Sequence, residues 1–298
     1  MKFQKEKMTD LLTLQQRYND LFPQSKLPIK LSSGLLLIGP SGCGKTFLAK
    51  AIPHQFKINF VQILCTDILS KYIGQSEERI RNIFKQAQTK APSVLFFDEI
   101  ETLTPKRGTG SSGVTDRIVN QILTYLDGVE ERSNVFIIAA SSNPTLIDQA
   151  ILRPGRIDNV ILCDYPTLEE KKELMIFYLK RFNISELNND YNDVINTIIT
   201  SKSENFSRAD LYSGIYNGFM IAVKRGIDSK QKVETVKILP DDLIKGFDDV
   251  NKKVNINEVN LYKELRLNYS SEKVENFLNF RDVNENNNNL FGVKETLI

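Results

Sequence analysis

Hydrophobic residues along this chain form short continuous runs that alternate with stretches of helical spacing. Four runs are typical of strands buried on both faces, at residues 35–38, 58–64, 94–97 and 134–140. Helical spacing occupies residues 45–52, 76–90 and 115–127 between them. Strands that alternate with helices in this way predict an α/β fold built on a doubly wound parallel sheet.

The pattern becomes wholly helical on both sides of this region. Residues 1–22 predict a lead-in helix, which Pro23 and Pro28 terminate. After Tyr165-Pro166, the residues Thr167 to Glu170 form a capping box and open a new helix. Its predicted apolar stripe consists of Leu168, Met175, Tyr178, Leu179 and Phe182. A further helix is expected from about Arg208 to Arg225, with Ser207 as its cap.

These patterns divide the chain into four predicted segments. A lead-in helix and linker occupy residues 1–30, and a large nucleotide-binding domain follows at residues 31–165. A small α-helical lid domain is expected at residues 166–250. Residues 251–298 should contain an amphipathic helix, over residues 256–278, and a disordered asparagine-rich tail.

A glycine-rich segment joins the first apolar run to the first helical stretch. It has the form G-x-x-x-x-G-K-T and consists of Gly39, Pro40, Ser41, Gly42, Cys43, Gly44, Lys45 and Thr46. In such a loop, backbone N–H groups surround phosphates, the lysine contacts them, and the threonine hydroxyl binds Mg²⁺. The alternative is a glycine-rich turn that binds nothing, but a strand before it and a helix after it favour a nucleotide. We therefore expect ATP and Mg²⁺ as ligands.

A pair of carboxylates ends the third apolar run. Asp98 and Glu99 follow Val94–Phe97, and parallel α/β sheets bind their ligands beyond the carboxyl ends of the strands. Asp98 is predicted to hold Mg²⁺ together with Thr46, and Glu99 is predicted to activate the attacking water. A solvated Asp-Glu pair is the alternative, and the phosphate loop argues against it. These residues predict an ATPase.

Composition narrows the choice of partners. The chain has 298 residues, 41% of them hydrophobic and 26% charged, and a net charge of +2. This balance gives no electrostatic reason to expect nucleic acid or a membrane surface as a ligand. No apolar run is long enough to span a bilayer, and the three cysteines show no paired spacing. We expect a reducing, cytoplasmic environment, with any membrane association only through partners.

Beyond the two nucleotide motifs, the order of several segments resembles the AAA family of ATPases over about residues 10–225. A set of motifs in a fixed order is far more specific than any one of them. The matching segments are Ser70–Gly74 (first pore loop), Thr115–Leu123 with Leu126–Gly128 (second region of homology) and Asp148–Asp158 (arginine-finger motif).

This resemblance implies a ring of six subunits that acts on a polypeptide in a central pore. Arg153 and Arg156 would reach the γ-phosphate bound by the neighbouring subunit, because the sequence suggests no partner for them in their own subunit. Lys71, Tyr72 and Ile73 would grip the polypeptide. The alternatives are two solvated arginines in a turn and a half-buried tyrosine. Residues 108–113, where a second pore loop falls in the family, suit a flexible connector equally well.

Three features depart from the family pattern. Ser142 stands where the family's first sensor residue is usually asparagine, so hydrolysis is either slow or insensitive to the shorter side chain. Arg208 stands where glycine is usual, and an exposed side chain is preferred over a contact with phosphate. A Gly-Gly stretch that normally precedes the lead-in helix is absent, which fits either a fragment of a longer protein or a single-ring relative.

Within the family, residues 113–121 and the phosphate loop look most like a branch that acts in peroxisome biogenesis. That branch implies a homo- or hetero-hexamer, pairing with a related ATPase, and recruitment to the peroxisomal membrane. The alternatives are another remodeller of the segregase, membrane-fusion or microtubule-severing type, and a ring subunit that binds ATP but hydrolyses it slowly.

Overall fold

The computed structural model describes residues 1–21, 34–68, 75–106, 113–128, 135–182, 189–201, 205–229, 237–248, 250 and 256–268. Contacts within the chain divide it into two compact units. The first contains Met1–Thr13, Leu37–Phe56 and Leu162–Tyr262. The second contains the described parts of Leu14–Leu36, Lys57–Ile161 and Lys263–Ile298.

Five strands form one sheet in the order β2-β3-β4-β1-β5. Pairing is parallel between β2 and β3 and between β3 and β4, where Leu64 lies opposite Asp98 and Phe97 opposite Ala139. The central strands are apolar except at their ends, where Ser93, Asp98 and Ser141 lie, and they are almost fully buried, as expected for strands covered on both faces. The strands are β1 Gly34–Ile38, β2 Asn59–Leu64, β3 Ser93–Asp98, β4 Val135–Ser141 and β5 Asn159–Leu162.

Ten α-helices lie within the described residues. They confirm the predicted α/β fold with a helical part after the sheet, since the last five helices follow β5. Their bounds are α1 Lys2–Leu21, α2 Lys45–Gln55, α3 Cys65–Ile68, α4 Gln75–Thr89, α5 Gly113–Gly128, α6 Leu168–Arg181, α7 Asn189–Ser201, α8 Arg208–Asp228, α9 Pro240–Asp248 and α10 Ile256–Asn268.

Both predicted helix caps are present in the helical part. The Thr167 hydroxyl accepts from the backbone amide of Glu170, and the Glu170 carboxylate accepts from the backbone amide of Thr167. Ser207 and Asp210 make the same reciprocal pair. A core that includes Met175, Leu179 and residues of α7–α9 packs behind these caps. The predicted apolar stripe is wrong at one position. Leu168 is 59% exposed because it precedes the first buried turn of α6.

The structure adds strand β5 and helices α3, α7 and α9, which the hydrophobic pattern did not predict. Strand β5 has only four residues, and its apolar part, residues 160–162, is only three residues long. Helix α7 carries asparagine and aspartate in its first turn, which resembles a loop in sequence. The C-terminal helix was expected to reach residue 278, but residues beyond 268 lie outside the described part of the chain.

Candidate nucleotide-binding site

The phosphate loop connects β1 to α2, and its backbone requires glycine. Gly42 and Gly44 have φ angles of +74° and +91°, which side chains rarely permit. A methyl group on Gly39 would lie 2.1 Å from the carbonyl oxygen of Cys163, so the loop has no room for one there. The helix begins at Lys45, immediately after the last glycine, and directs its positive end at the loop. This geometry fits a polyphosphate ligand.

Lys45 is engaged with the loop itself. Its side chain is 8% exposed, and Nζ donates to the carbonyl oxygens of Gly39 at 2.6 Å and Pro40 at 3.0 Å. A buried ammonium group needs such acceptors, and an arriving phosphate would replace them with a stronger, charged one. Thr46 is half-buried in the first turn of α2, and its predicted place beside Mg²⁺ stays a prediction.

Cys43 has no role as a nucleophile in this loop. Burial raises the pKa of its thiol to about 12, against the opposing effect of the Arg208 and Lys45 charges. Burial also raises the pKa of Cys163, beside the loop, to about 11. All three cysteines are free thiols, as their spacing predicted.

Arg208 is not the exposed side chain that was expected. Its side chain is 13% exposed, and Nη1 donates to the carbonyl oxygens of Cys43 at 2.6 Å and Asp164 at 3.3 Å. Nη2 pairs with Glu170 at 3.3 Å. The expectation failed because the head of α8 lies against the phosphate loop, where the amide of Ala209 donates to the carbonyl oxygen of Gly42 at 3.1 Å.

Helix α10 also reaches the loop. The amide of Ser41 donates to a carboxylate oxygen of Glu258 at 2.6 Å. Tyr262, one turn further along α10, is fully buried, which fixes the helix in the first unit. The loop therefore has partners on both α8 and α10.

The close approach of α8 predicts that the loop will not tolerate even an alanine at Gly42. A methyl group there would lie 2.7 Å from Ser207 Oγ and 2.8 Å from Ala209 Cβ, in addition to the positive φ. Gly155 is the matched control, because it has φ +86° and nothing within 4 Å of the position that a methyl group would take. The left-handed backbone should cost each variant about 1–2 kcal/mol. Thermal denaturation should show a clearly larger loss for Gly42→Ala, and equal losses would contradict the observed packing.

In the second unit, the end of β3 presents the two predicted carboxylates. Asp98 is the last residue of the strand and half-buried, whereas Glu99 is exposed. Glu99 has φ 57° and ψ 52°, the left-handed conformation that is uncommon for residues other than glycine. Such strain costs about 1–3 kcal/mol and concentrates at functional positions, which supports a role for Glu99.

Ser142 lies beside this carboxylate pair, one residue beyond the end of the neighbouring strand β4. The amides of Ser142 and Asn143 donate to Glu101 Oε1 at 3.1 and 3.4 Å. Glu101 Oε2 is buried without a hydrogen-bond partner among the described residues. The sequence did not identify Glu101, although a third acid two residues after Glu99 was a visible signal. It fixes the backbone at Ser142 relative to β3.

Arg153 and Arg156 flank a turn and differ in their surroundings. Arg153 is exposed, as predicted. Arg156 was expected to have no partner in its own subunit, and this is wrong, since it forms an ion pair with Asp127 at 2.7 Å. The pairing was not visible in sequence because 29 residues separate the two. Both arginines line a cavity of about 590 Å³ that also includes Lys106.

The predicted pore-loop residues Lys71, Tyr72 and Ile73 lie outside the described residues, as do positions 108–112. Their assignment rests on the sequence alone. No helix within the described ranges is long and apolar enough to cross a bilayer.

The parallel sheet, the phosphate loop and the acidic end of β3 define a nucleoside-triphosphate-binding α/β protein. The family model described as "ATPase family associated with various cellular activities (AAA)" matches residues 35–165. The chain carries an AAA ATPase domain. The expected family and its ATPase class are thereby confirmed.

Curated relatives show the same domain at about 40% identity. "Peroxisomal ATPase pex1" of Schizosaccharomyces pombe is 42% identical over 221 residues, 74% of this chain and 23% of that protein. "Peroxisomal ATPase PEX1" of Saccharomyces cerevisiae is 40% identical over 241 residues, 78% and 22% respectively. "Ribosome biogenesis ATPase RIX7" of the same yeast is 39% identical over 234 residues, 78% and 28%. The chain spans about a fifth of the length of these relatives.

Proposed function

We propose that this chain is the ATP-hydrolysing part of a hexameric protein translocase of the peroxin-one type, which extracts import receptors from the peroxisomal membrane. The proposal is supported by the sequence identity of 40–42% to the two peroxisomal ATPases over about three quarters of the chain. A peroxin-six-like ATPase is the proposed partner, and a polypeptide in the central pore is the proposed substrate.

The described residues support the part of this proposal that concerns ATP binding and hydrolysis. In the ATP-bound protein, Lys45 would exchange the Gly39 and Pro40 carbonyls for phosphate oxygens. Asp98 and Thr46 would hold Mg²⁺, which neutralises the charge that develops on the phosphates. Glu99 would accept a proton from the attacking water. Ser142, fixed by Glu101, would contact the γ-phosphate or that water.

A second candidate function comes from the ribosome-biogenesis relative, which is almost as similar as the peroxisomal one in the same yeast. Two chimeras separate the candidates. Residues 10–225 would replace the matching segment of the yeast peroxisomal ATPase in one chimera and of the yeast ribosome-biogenesis ATPase in the other. Each would be expressed in cells lacking the parent protein, with a Lys45→Ala version as the inactive control.

We expect the first chimera to restore peroxisomal protein import and the second to fail in ribosome assembly. Restoration of ribosome assembly alone would support the second candidate instead. If both chimeras are expressed, assemble and restore neither process, the chain does not have either role. Coprecipitation of a peroxin-six-like ATPase with the native protein tests the proposed partner directly.

Tyr72 provides a test of the motor itself. Replacing Tyr72 with alanine should leave ATP binding and ring assembly intact, because only the surface that grips the polypeptide is removed. Truncation of a well-packed aromatic side chain costs about 3 kcal/mol, enough for the substrate to slip. Extraction of a tagged substrate should fall while the melting temperature is unchanged. A large loss of thermal stability would instead indicate that Tyr72 is ordinary packing, and full extraction would exclude the grip.

A further inference from the structure

Arg156 is held unusually firmly for a side chain at the edge of a cavity. Nε and Nη2 donate to the two carboxylate oxygens of Asp127 at 2.7 and 2.8 Å, and Nη1 donates to the carbonyl oxygen of Ala150. A guanidinium group has five N–H donors. Three are used within the subunit, and one N–H on each terminal nitrogen remains. Arg156 can therefore bind an oxyanion without leaving Asp127.

Asp127 does not stabilise the dipole of its own helix. It lies in the last turn of α5, where a carboxylate faces the negative end of the helix dipole. Its side chain is 56% exposed, against 17% for Arg156, so water screens part of the attraction between the two charges. The bidentate geometry instead fixes the direction of the guanidinium plane.

Arg153 lacks such a support. It is exposed, and within the described residues its guanidinium group has no hydrogen-bond or ion-pair partner. It lines the same cavity of about 590 Å³ as Arg156 and Lys106, so three cations surround this space. Among the described residues, the only acid that lines it is Asp148, which accepts from the amide of Ala150 at 2.8 Å as a helix cap. The guanidinium group of Arg153 and the two remaining N–H groups of Arg156 could therefore donate to an anion with several oxygens, such as a terminal phosphate.

We propose that Asp127 is a positioning residue for hydrolysis in a neighbouring subunit. It fixes the orientation of the Arg156 guanidinium group, which donates to the terminal phosphate bound by that subunit. This inference rests on the proposed function, because the phosphate comes from a second copy or a related ATPase. A long side chain that is already oriented loses no further freedom when the transition state forms. Arg153, which lines the same cavity, would supply a second contact.

The test uses two complementary forms of the full chain. A donor carries Lys45→Ala, so it binds no nucleotide but keeps Asp127, Arg153 and Arg156. An acceptor carries Arg153→Ala and Arg156→Ala, so it binds ATP but supplies no arginine. Mixing them should restore ATP turnover, because each donor can serve the nucleotide of an adjacent acceptor. If mixing restores no ATP turnover, the proposed function in a ring is wrong, and with it the role of Asp127.

Adding Asp127→Asn to the donor should then lower kcat of the mixture by about 10–100-fold, since small misplacements of a catalytic group cost up to about 10²-fold. The KM for ATP should not change, because the acceptor's phosphate loop is intact. Asp127→Glu, which keeps the carboxylate, should restore part of the loss. Asp116→Asn on the exposed start of the same helix is the matched control and should leave turnover unchanged.

The decisive experiment compares two donors that both carry Arg156→Ala, one with Asp127 and one with Asp127→Asn. Without Arg156, the loss of Asp127 should cause no further decrease. A further decrease, an equal effect of Asp116→Asn, or a failure of the Asp127→Asn donor to assemble in sedimentation experiments would overturn the positioning role. Undiminished turnover with the Asp127→Asn donor would overturn it as well.

Discussion

Replacing Glu99 with glutamine should leave ATP binding intact and reduce turnover by about 10²–10⁴-fold, the contribution expected from a general base. The side chain follows β3 in a left-handed conformation and is exposed, so its carboxylate can accept a proton from water. Glutamine has nearly the same shape but cannot accept that proton. Lys45→Ala should behave differently, because it removes a contact with phosphate and should abolish binding itself.

Binding of a fluorescent ATP analogue and steady-state phosphate release would be measured for both variants. Glu78→Gln, which removes an exposed carboxylate from α4, is the control for loss of charge alone. Unchanged turnover in Glu99→Gln would show that Glu99 is not the base. Normal ATP affinity in Lys45→Ala would show that the loop does not use its lysine as expected.

The activity of each subunit should rise with protein concentration or on addition of a partner ATPase, and Arg156→Ala should remove that gain. An arginine supplied by a neighbour is worth about 10³–10⁵ in turnover. Arg156 is proposed to act on the nucleotide of a neighbouring subunit, whereas the phosphate loop binds the nucleotide of its own subunit. Its loss should therefore have little effect on nucleotide affinity.

Turnover per subunit, measured over a wide range of concentrations, provides the test. Arg117→Ala, an exposed arginine on α5, should keep the concentration dependence. A rate that does not depend on concentration or partner, and is the same in Arg156→Ala, would exclude catalysis across subunits.

Local patterns predicted most of the fold because its central parts depend on local sequence. The buried strands are continuous apolar runs, and both capping boxes are set by residues three positions apart. Strand β5 escaped prediction because its apolar part, residues 160–162, is too short to distinguish a strand from a loop. Its conformation depends on pairing with neighbouring strands of the sheet.

The candidate site was predictable where a motif is contiguous and not where distant residues complete it. The phosphate loop and the Asp98-Glu99 pair are both short strings. Arg208 was misjudged because its acceptor at Cys43 is 165 residues away in sequence. Glu101 acts on the backbone of Ser142, 41 residues later, and Asp127 on Arg156, 29 residues later. Only the folded chain shows these pairings.

The contacts between the phosphate loop and the distant helices have a consequence for biosynthesis. The loop is translated early, but Glu258, which binds the amide of Ser41, follows 217 residues later. At synthesis rates of about 5–20 residues per second, the ribosome needs roughly 10–40 s to cover that distance. A nascent chain would therefore carry its nucleotide loop for most of this time without α8 and α10. We expect the loop to gain its contact with Glu258 only after α10 has left the exit tunnel.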